Sequence, residues 1–350
     1  MFVTSSLLHR VVPVAIWLQF GCGGTSDPPL TDATSLTCPT PGNLPFRLET
    51  HGYRNSADAT LVKTDTTIKD EAGDVLGNPG GALASVYLDD SASPATGIDY
   101  HGEKARTTAT DGLVSHPLTG EYVDLYYYDP GAMEWQQLAR GQTDVDGAYD
   151  FPTTGLVAPN AQPVYAMLEA DGSCAVHYDY TMPSGSKFVV FDIDGTLTTS
   201  DNELIMQLED ETYVPMQMTA ANLMVQEWAK KGYPVVYLTA RLHAFDAETR
   251  AWLDMLDFPK GPIITENGGE AADVYKTLWL QRMVTDFGWV PYAAYGNATT
   301  DITAYANVNI PLDHTFIIGP EGGMGGTVAI PNMDYTQHIT QFIDMQPDNN

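Results

Sequence analysis

The chain has 350 residues, 43% of them apolar and 17% charged, which are globular values and exclude wholesale disorder. Sixteen Lys and Arg against 45 Asp and Glu give a formal net charge of −29. That balance excludes a nucleic-acid ligand and a polybasic membrane-docking patch, since both need clustered cations, and an anionic substrate would have to be drawn in by a metal ion or a single Lys.

Length alone is a prior for two domains, and the chain order supports it. MFVTSSLLHR carries one cation, Arg10, and the apolar run VVPVAIWLQF follows. A run this short with a basic flank reads as a secretory signal rather than a membrane span. Gly21-Cys22 at its end resembles the lipobox of bacterial lipoproteins. The resemblance implies a lipid on Cys22 and an exported protein of the bacterial cell envelope, anchored at the outer membrane or in the periplasm. Plain cleavage and secretion is the alternative. Residues 1–22 are thus the signal, and residues 23–45, rich in Gly, Ser, Thr and Pro, a flexible linker. With Cys22 lipidated, Cys38 and Cys174 remain as an even pair in an oxidising compartment, where a disulfide could close the ends of the first domain.

Residues 46–182 read as β-structure. The segments YVDLYYY, EWQQLAR and AYDF alternate in hydropathy and are separated by DPG, GQT and DVDG turns. That spacing predicts an all-β sandwich of the immunoglobulin or transthyretin-like type. Asp144-Val145-Asp146-Gly147 is expected to be a hairpin turn, with Asp and Gly present for their tolerance of turn dihedrals and no chemistry assigned. MPSGSK, at 182–187, marks a boundary.

From 185 to 345 the rhythm changes. KFVVFD, PVVYLTA, GPIIT, VPYAAYG and HTFIIG are near-continuous apolar runs, as strands of a parallel sheet covered on both faces should be. TAANLMVQEWAKKG, HAFDAETRAWLDML and DVYKTLWLQRMVTDFG between them carry helical spacing, with Gly232 and Gly288 at C-cap positions. The expected fold is α/β, a doubly wound parallel sheet whose ligands bind at the carboxyl ends of its strands. Those ends carry Asp192-Ile193-Asp194-Gly195-Thr196, then Thr239-Ala240-Arg241, and Asn297 followed by Asp301; Lys276 lies on the helix after ENGGE.

In this order the residues resemble the haloacid dehalogenase (HAD) superfamily of phosphohydrolases. FVVFDIDGTLTTSD, YLTAR, ETRAWL, FPKGPI and AYGNATTDITAY are more narrowly similar to the lipin family of Mg-dependent phosphatidate phosphatases. The resemblance implies a HAD-like domain with Asp192 as nucleophile, forming an aspartyl-phosphate, and Asp194 as the acid and base. It implies that Thr239, Lys276 and Arg241 bind the substrate phosphate. Mg2+ would be held by Asp192, the carbonyl of Asp194, and Asp301, with Gly195, Thr196 and Asn297 in support. Residues two apart on a strand share a face, so the D-x-D spacing can bring both carboxylates to one phosphate. Arg241 has two readings, orienting the phosphate or pairing with Asp246 or Glu248, and His243 reads as a surface or packing histidine.

The function so implied is Mg-dependent hydrolysis of a phosphomonoester, with phosphatidate as the leading substrate. A soluble phosphomonoesterase, or a non-catalytic lipid-binding module like the lipin-like domains of phosphatidylinositol-transfer proteins, are the alternatives. The expected partner is a phospholipid or other phosphomonoester, met at a membrane through the Cys22 anchor.

Overall fold

The computed structural model describes residues 118–145 and 182–349 with few interruptions (Pro130, Glu211, His243, Ala244 and 267–270). Of the remainder it describes Arg54 and separate strands and turns between 68 and 178. The signal, the linker, Cys22 and Cys38 lie outside the described residues, as do the side chain of Cys174 and the expected disulfide. Among the described residues no helix is long and apolar enough to cross a membrane.

The first part is antiparallel, as its alternation requires. Tyr122–Asp129 pairs with Glu134–Gln142 on one side and with Pro163–Leu168 on the other, and Cys174–Tyr178 extends that sheet. Leu125, Tyr126, Trp135, Tyr165 and Met167 are buried, and the Trp135 ring meets Tyr128 and Tyr165 edge-on. The 144–147 turn forms, with Gly147 at φ 70° and its N–H bonded to the Asp144 carbonyl at 3.1 Å. It is not a hairpin, however. Glu134–Gln142 stays in the first sheet, whereas Ala148–Asp150 pairs with Lys104–Asp111 of a second one. A turn signal reports local dihedrals and says nothing of which strands the chain next joins.

The second part is a six-stranded parallel sheet. Its strands are β1 (Lys187–Phe191), β2 (Val235–Leu242), β3 (Ile263–Glu266), β4 (Val290–Gly296), β5 (Thr315–Ile318) and β6 (Val328–Ile330). Their spatial order is β3-β2-β1-β4-β5-β6. Helices α1 (Glu203–Glu209), α2 (Ala221–Lys230), α3 (Asp246–Met255), α4 (Ala272–Thr285), α5 (Thr299–Asn307) and α6 (Thr336–Gln341) connect and follow them. Alternate residues of β1 feed two cores. Val189 and Phe191 pack with Met224, Val225 and Trp228 of α2 and Trp252 of α3, while Phe188 and Val190 pack with Tyr275, Leu280 and Met283 of α4 and Ala304 and Tyr305 of α5. The sheet is therefore covered on both faces, which is why its strands read as unbroken apolar runs.

Gly232 and Gly288 both take positive φ after α2 and α4, as C-terminal caps require. The MPSGSK segment is pinned rather than free: Trp289 Nε1 donates to the Met182 carbonyl at 3.0 Å and the Gly185 N–H to that of Gly288 at 2.7 Å. Neither β6 nor α5 is among the expected elements. The first has three residues between glycine-rich and proline-led turns, and the second buries only Asp301, Ala304 and Tyr305.

The strand order reverses direction of winding between β1 and β4, which makes that gap the switch point where ligands of such sheets bind. A buried polar chain braces it from beneath. Trp228 Nε1 donates to the Tyr295 hydroxyl at 2.7 Å, and that hydroxyl lies 2.8 Å from His338 Nε2. Trp Nε1 is only a donor, so the Tyr295 hydroxyl accepts from it and shares a second hydrogen bond with His338. Burial holds His338 down at about 4. Its ordinary value is ~6.5, so below that pH the unfolded chain binds a proton that the folded chain refuses, and stability falls as pH drops through this window. Between pH 7 and 5 the wild type should lose about 2 kcal/mol more than His338→Gln in chemical denaturation. Equal losses would place the sensitivity elsewhere.

Candidate active site

Each acidic residue is placed by a strand end and the turn that follows it. Strand β1 stops at Phe191, and Asp192 keeps register with β4 through its N–H to the Tyr295 carbonyl at 3.0 Å. The chain then folds back in a tight loop, with the Thr196, Leu197 and Thr198 N–H groups all meeting the Ile193 carbonyl within 3.1 Å. Gly195 sits in that loop at φ 67°, and a Cβ there would stand 2.0 Å from Asn297 Nδ2, so both the turn and the approach of Asn297 demand glycine. Glu203, buried at the start of α1, ties the loop's exit: it accepts from Thr199 Oγ1 at 2.5 Å, Tyr213 Oη at 2.6 Å and the Met216 N–H at 2.8 Å.

The charged groups form two sets. In the first, Lys276 of α4 donates from Nζ to Asp192 Oδ1 and to Asp301 Oδ1, both at 2.6 Å. The second oxygen of Asp192 accepts from Thr196 Oγ1 at 3.1 Å, and that of Asp301 accepts the Asn297 and Ala298 N–H groups at 3.0 Å. Asp301 occupies the first turn of α5, where a carboxylate suits the free N–H groups of the helix end. All three charged residues are buried. Burial raises the Asp192 carboxyl above the usual carboxylate range against the pull of Lys276, with Asp301 adding to the rise. Burial alone would lower Lys276, but the Asp192 and Asp301 carboxylates raise it and keep it charged.

In the second set Arg241, at the end of β2, grips Asp194 through Nε to Oδ2 at 2.9 Å and Nη2 to Oδ1 at 2.7 Å. This changes the expectation for Arg241. Its guanidinium meets Asp194 and Thr249, rather than a site left open for substrate phosphate or a partner at Glu248; the side chain of Asp246 is outside the described residues, as is His243. Thr239 is buried and accepts the Arg241 N–H at 3.2 Å. Asn297 stands beside Thr196, whose hydroxyl lies 3.4 Å from Asn297 Oδ1.

The structure thus brings Asp192, Thr196, Lys276, Asn297 and Asp301 into direct contact and sets Asp194, Thr239 and Arg241 alongside as a second group. Thr249 and Asp201 join the site unforeseen. Asp201, whose Oδ1 lies 3.4 Å from Asn297 Nδ2, ends the TTSD run and Thr249 stands in ETRAWL. Their side-chain types were visible, but their partners were not.

A divalent cation suits this donor set. Asp192 and Asp301 offer hard oxygens, and with Lys276 ionised they leave a net negative charge to be met. Among the described residues no third acid joins them as a ready-made cage. Magnesium commonly binds through one or two carboxylates and keeps several waters, so the set fits that ion.

Residues 189–319 match the family model described as "PITM 1-3, LNS2 domain". Protein retinal degeneration B of Drosophila melanogaster is 31% identical over 227 residues, covering 63% of this chain and 17% of that one. Membrane-associated phosphatidylinositol transfer protein 3 of Homo sapiens is 30% identical over 206 residues, covering 58% and 20%. The chain therefore spans a fifth or less of the length of these curated relatives. Among solved structures, a putative HAD-like phosphatase from Mesorhizobium loti superposes with a TM-score of 0.36 at 12% identity, over 48% of this chain and 89% of that one. That overlap is too loose to bear on function.

Removing the shared cation should be costly. Lys276→Met would leave two buried carboxylates facing each other, and we expect a loss of about 3–5 kcal/mol, the range for breaking a buried pair. Adding Asp301→Asn to that variant should recover part of the loss in thermal unfolding. No recovery would show that the two acids do not share the ammonium's stabilisation.

Proposed function

We propose that the chain is a phosphomonoester hydrolase of the haloacid dehalogenase type, working through an aspartyl-phosphate on Asp192, with a lipid phosphate monoester such as phosphatidate as the favoured substrate. The observation that supports it is the single ammonium of Lys276 held between Asp192 and Asp301 at 2.6 Å, at the switch point of a doubly wound sheet. An isolated D-x-D-G run has no such meaning, as residues 144–147 show. The LNS2 match and the phosphatidylinositol-transfer relatives support the lipid part of the reading.

The chemistry follows from what each group already does. Lys276 fixes Asp192 Oδ1, so Oδ2, with one contact to Thr196 at 3.1 Å, is the freer oxygen and the attacking one. The lysine's fixed charge offsets that which develops on the equatorial phosphoryl oxygens. Thr239 adds a hydroxyl at the end of β2, and Gly195 lets the backbone come close to the phosphate. Asp194 protonates the leaving oxygen and then takes the proton of the attacking water. Asp192, Asp301 and the Asp194 carbonyl would hold Mg2+, with Asn297 in support, and the ion when bound neutralises phosphoryl charge.

A second reading has its own support. Several of the relatives are named as membrane-associated phosphatidylinositol transfer proteins, and here every oxygen of the Asp192, Asp194 and Asp301 carboxylates is engaged by protein donors. A domain that binds a lipid phosphate without cleaving it is consistent with both facts. Release of inorganic phosphate separates the two. We expect the chain to release it with added Mg2+, faster from phosphatidate in detergent micelles than from soluble phosphomonoesters. Asp192→Asn should bring release to background with thermal stability kept within a few degrees. Binding of phosphatidate micelles with no release under any condition would establish the second reading instead.

A further inference from the structure

We infer that Arg241 and Thr249 together form a positioning device for the Asp194 carboxyl; this rests on the reading of Asp194 as proton donor to the leaving oxygen. The guanidinium meets that carboxyl as a fork, Nε to Oδ2 at 2.9 Å and Nη2 to Oδ1 at 2.7 Å. Its third nitrogen, Nη1, donates to Thr249 Oγ1 at 3.0 Å. That hydroxyl in turn donates to the Phe245 carbonyl at 2.6 Å, so its hydrogen is spent and it can only accept from Arg241. The backbone N–H of Arg241 is held as well, by Thr239 Oγ1 at 3.2 Å. Arg241 is 4% exposed and Thr249 is wholly buried. A planar group bonded at all three nitrogens has its plane fixed, and the plane it fixes is that of the carboxylate.

The fork holds the Asp194 carboxyl in one plane next to Asp192. In the first half of the reaction a bond forms from an Asp192 oxygen to phosphorus, the ester P–O bond breaks, and the leaving alkoxide takes the Asp194 proton to become the alcohol. In the second half, water oxygen bonds to phosphorus, the bond from the Asp192 oxygen to phosphorus breaks, and the water's proton returns to Asp194. Phosphate leaves, and both aspartates are as they began. Thr249 touches neither phosphorus nor the leaving group, so it acts only through Arg241.

A device that aims a proton should matter in proportion to how much the leaving group needs one. The test compares p-nitrophenyl phosphate, whose phenolate departs unaided, with an alkyl phosphate, whose alkoxide does not. Thr249→Val should lower kcat/KM, which reports only the steps through aspartyl-phosphate formation, roughly tenfold on the alkyl ester and by less than about twofold on the nitrophenyl ester. Thr249→Ser, which restores the hydroxyl, should return the alkyl rate to within about twofold of wild type. Arg241→Lys, which offers a point charge in place of the fork, should cost on the order of a hundredfold on the alkyl ester and much less on the other. Equal losses on the two esters, or a Ser variant no better than Val, would overturn the positioning role and leave the hydrolase reading standing. A wild-type protein inert towards both esters would overturn that reading and the inference with it.

Discussion

One ammonium between two buried carboxylates is the constraint on which the rest of this site depends. Lys276 lies on a helix against one face of the sheet, Asp192 at the end of a central strand, and Asp301 at the start of another helix. Stripping any of the three charges from water is unfavourable, and the arrangement is tolerable only because each is paired and further hydrogen-bonded. The pairing joins β1, α4 and α5 across the switch point. Tyr305 adds to the join, its hydroxyl bonding the Tyr295 carbonyl that also accepts the Asp192 N–H. The position of the Asp192 carboxylate is thus set by the packing of three elements rather than by its own loop.

The second ion pair is of a different kind. Asp194 is partly exposed where Asp192 is buried, and its partner is a guanidinium whose fork constrains orientation as well as charge. The two aspartates of one short motif therefore receive opposite treatment. One has a point charge on one oxygen and a threonine hydroxyl on the other, whereas the other is gripped on both oxygens by the guanidinium. Two residues of the same type, two apart, acquire different surroundings because their cations reach them from different sides: Lys276 from α4 and Arg241 from β2.

Much of this was legible in the sequence because it depends on local pattern. Five strands were visible as apolar runs, since a strand covered on both faces has no polar side to show. Asp192, Asp194, Thr239, Asn297 and Asp301 could be placed at or just past strand ends, whereas Lys276 stood on a helix and drew its role only from the family resemblance. What could not be read was side-chain pairing over distance. Arg241 is 47 residues from Asp194, and nothing in either neighbourhood distinguishes that partner from the acids nearer in the chain. Thr249 looked like one more polar residue on an amphipathic helix. The D-x-D-G run at 144–147 shares its letters with 192–195 but precedes a strand instead of ending one. Even there the sequence yielded the turn and not the change of sheet, because dihedral preference is local and strand pairing is not.

The overall charge of −29 acquires a sharper meaning beside this geometry. Both cations of the site, Lys276 and Arg241, are committed to carboxylates, so neither presents a free positive charge outward. With all five groups ionised, three carboxylates face two cations and the site is itself negative. A phosphate dianion approaching it is opposed by the far field of the protein and by the near field of Asp192, Asp194 and Asp301 alike. Salt would screen the first of these within about 10 Å at moderate ionic strength but not the second, which acts at contact. The residues that hold the Asp192 carboxylate in place are thus the ones that leave the site short of positive charge for an anion. The excess carboxylate that repels the anion is also what would recruit a divalent cation. Strand-end acids and phosphate chemistry are compatible on those terms.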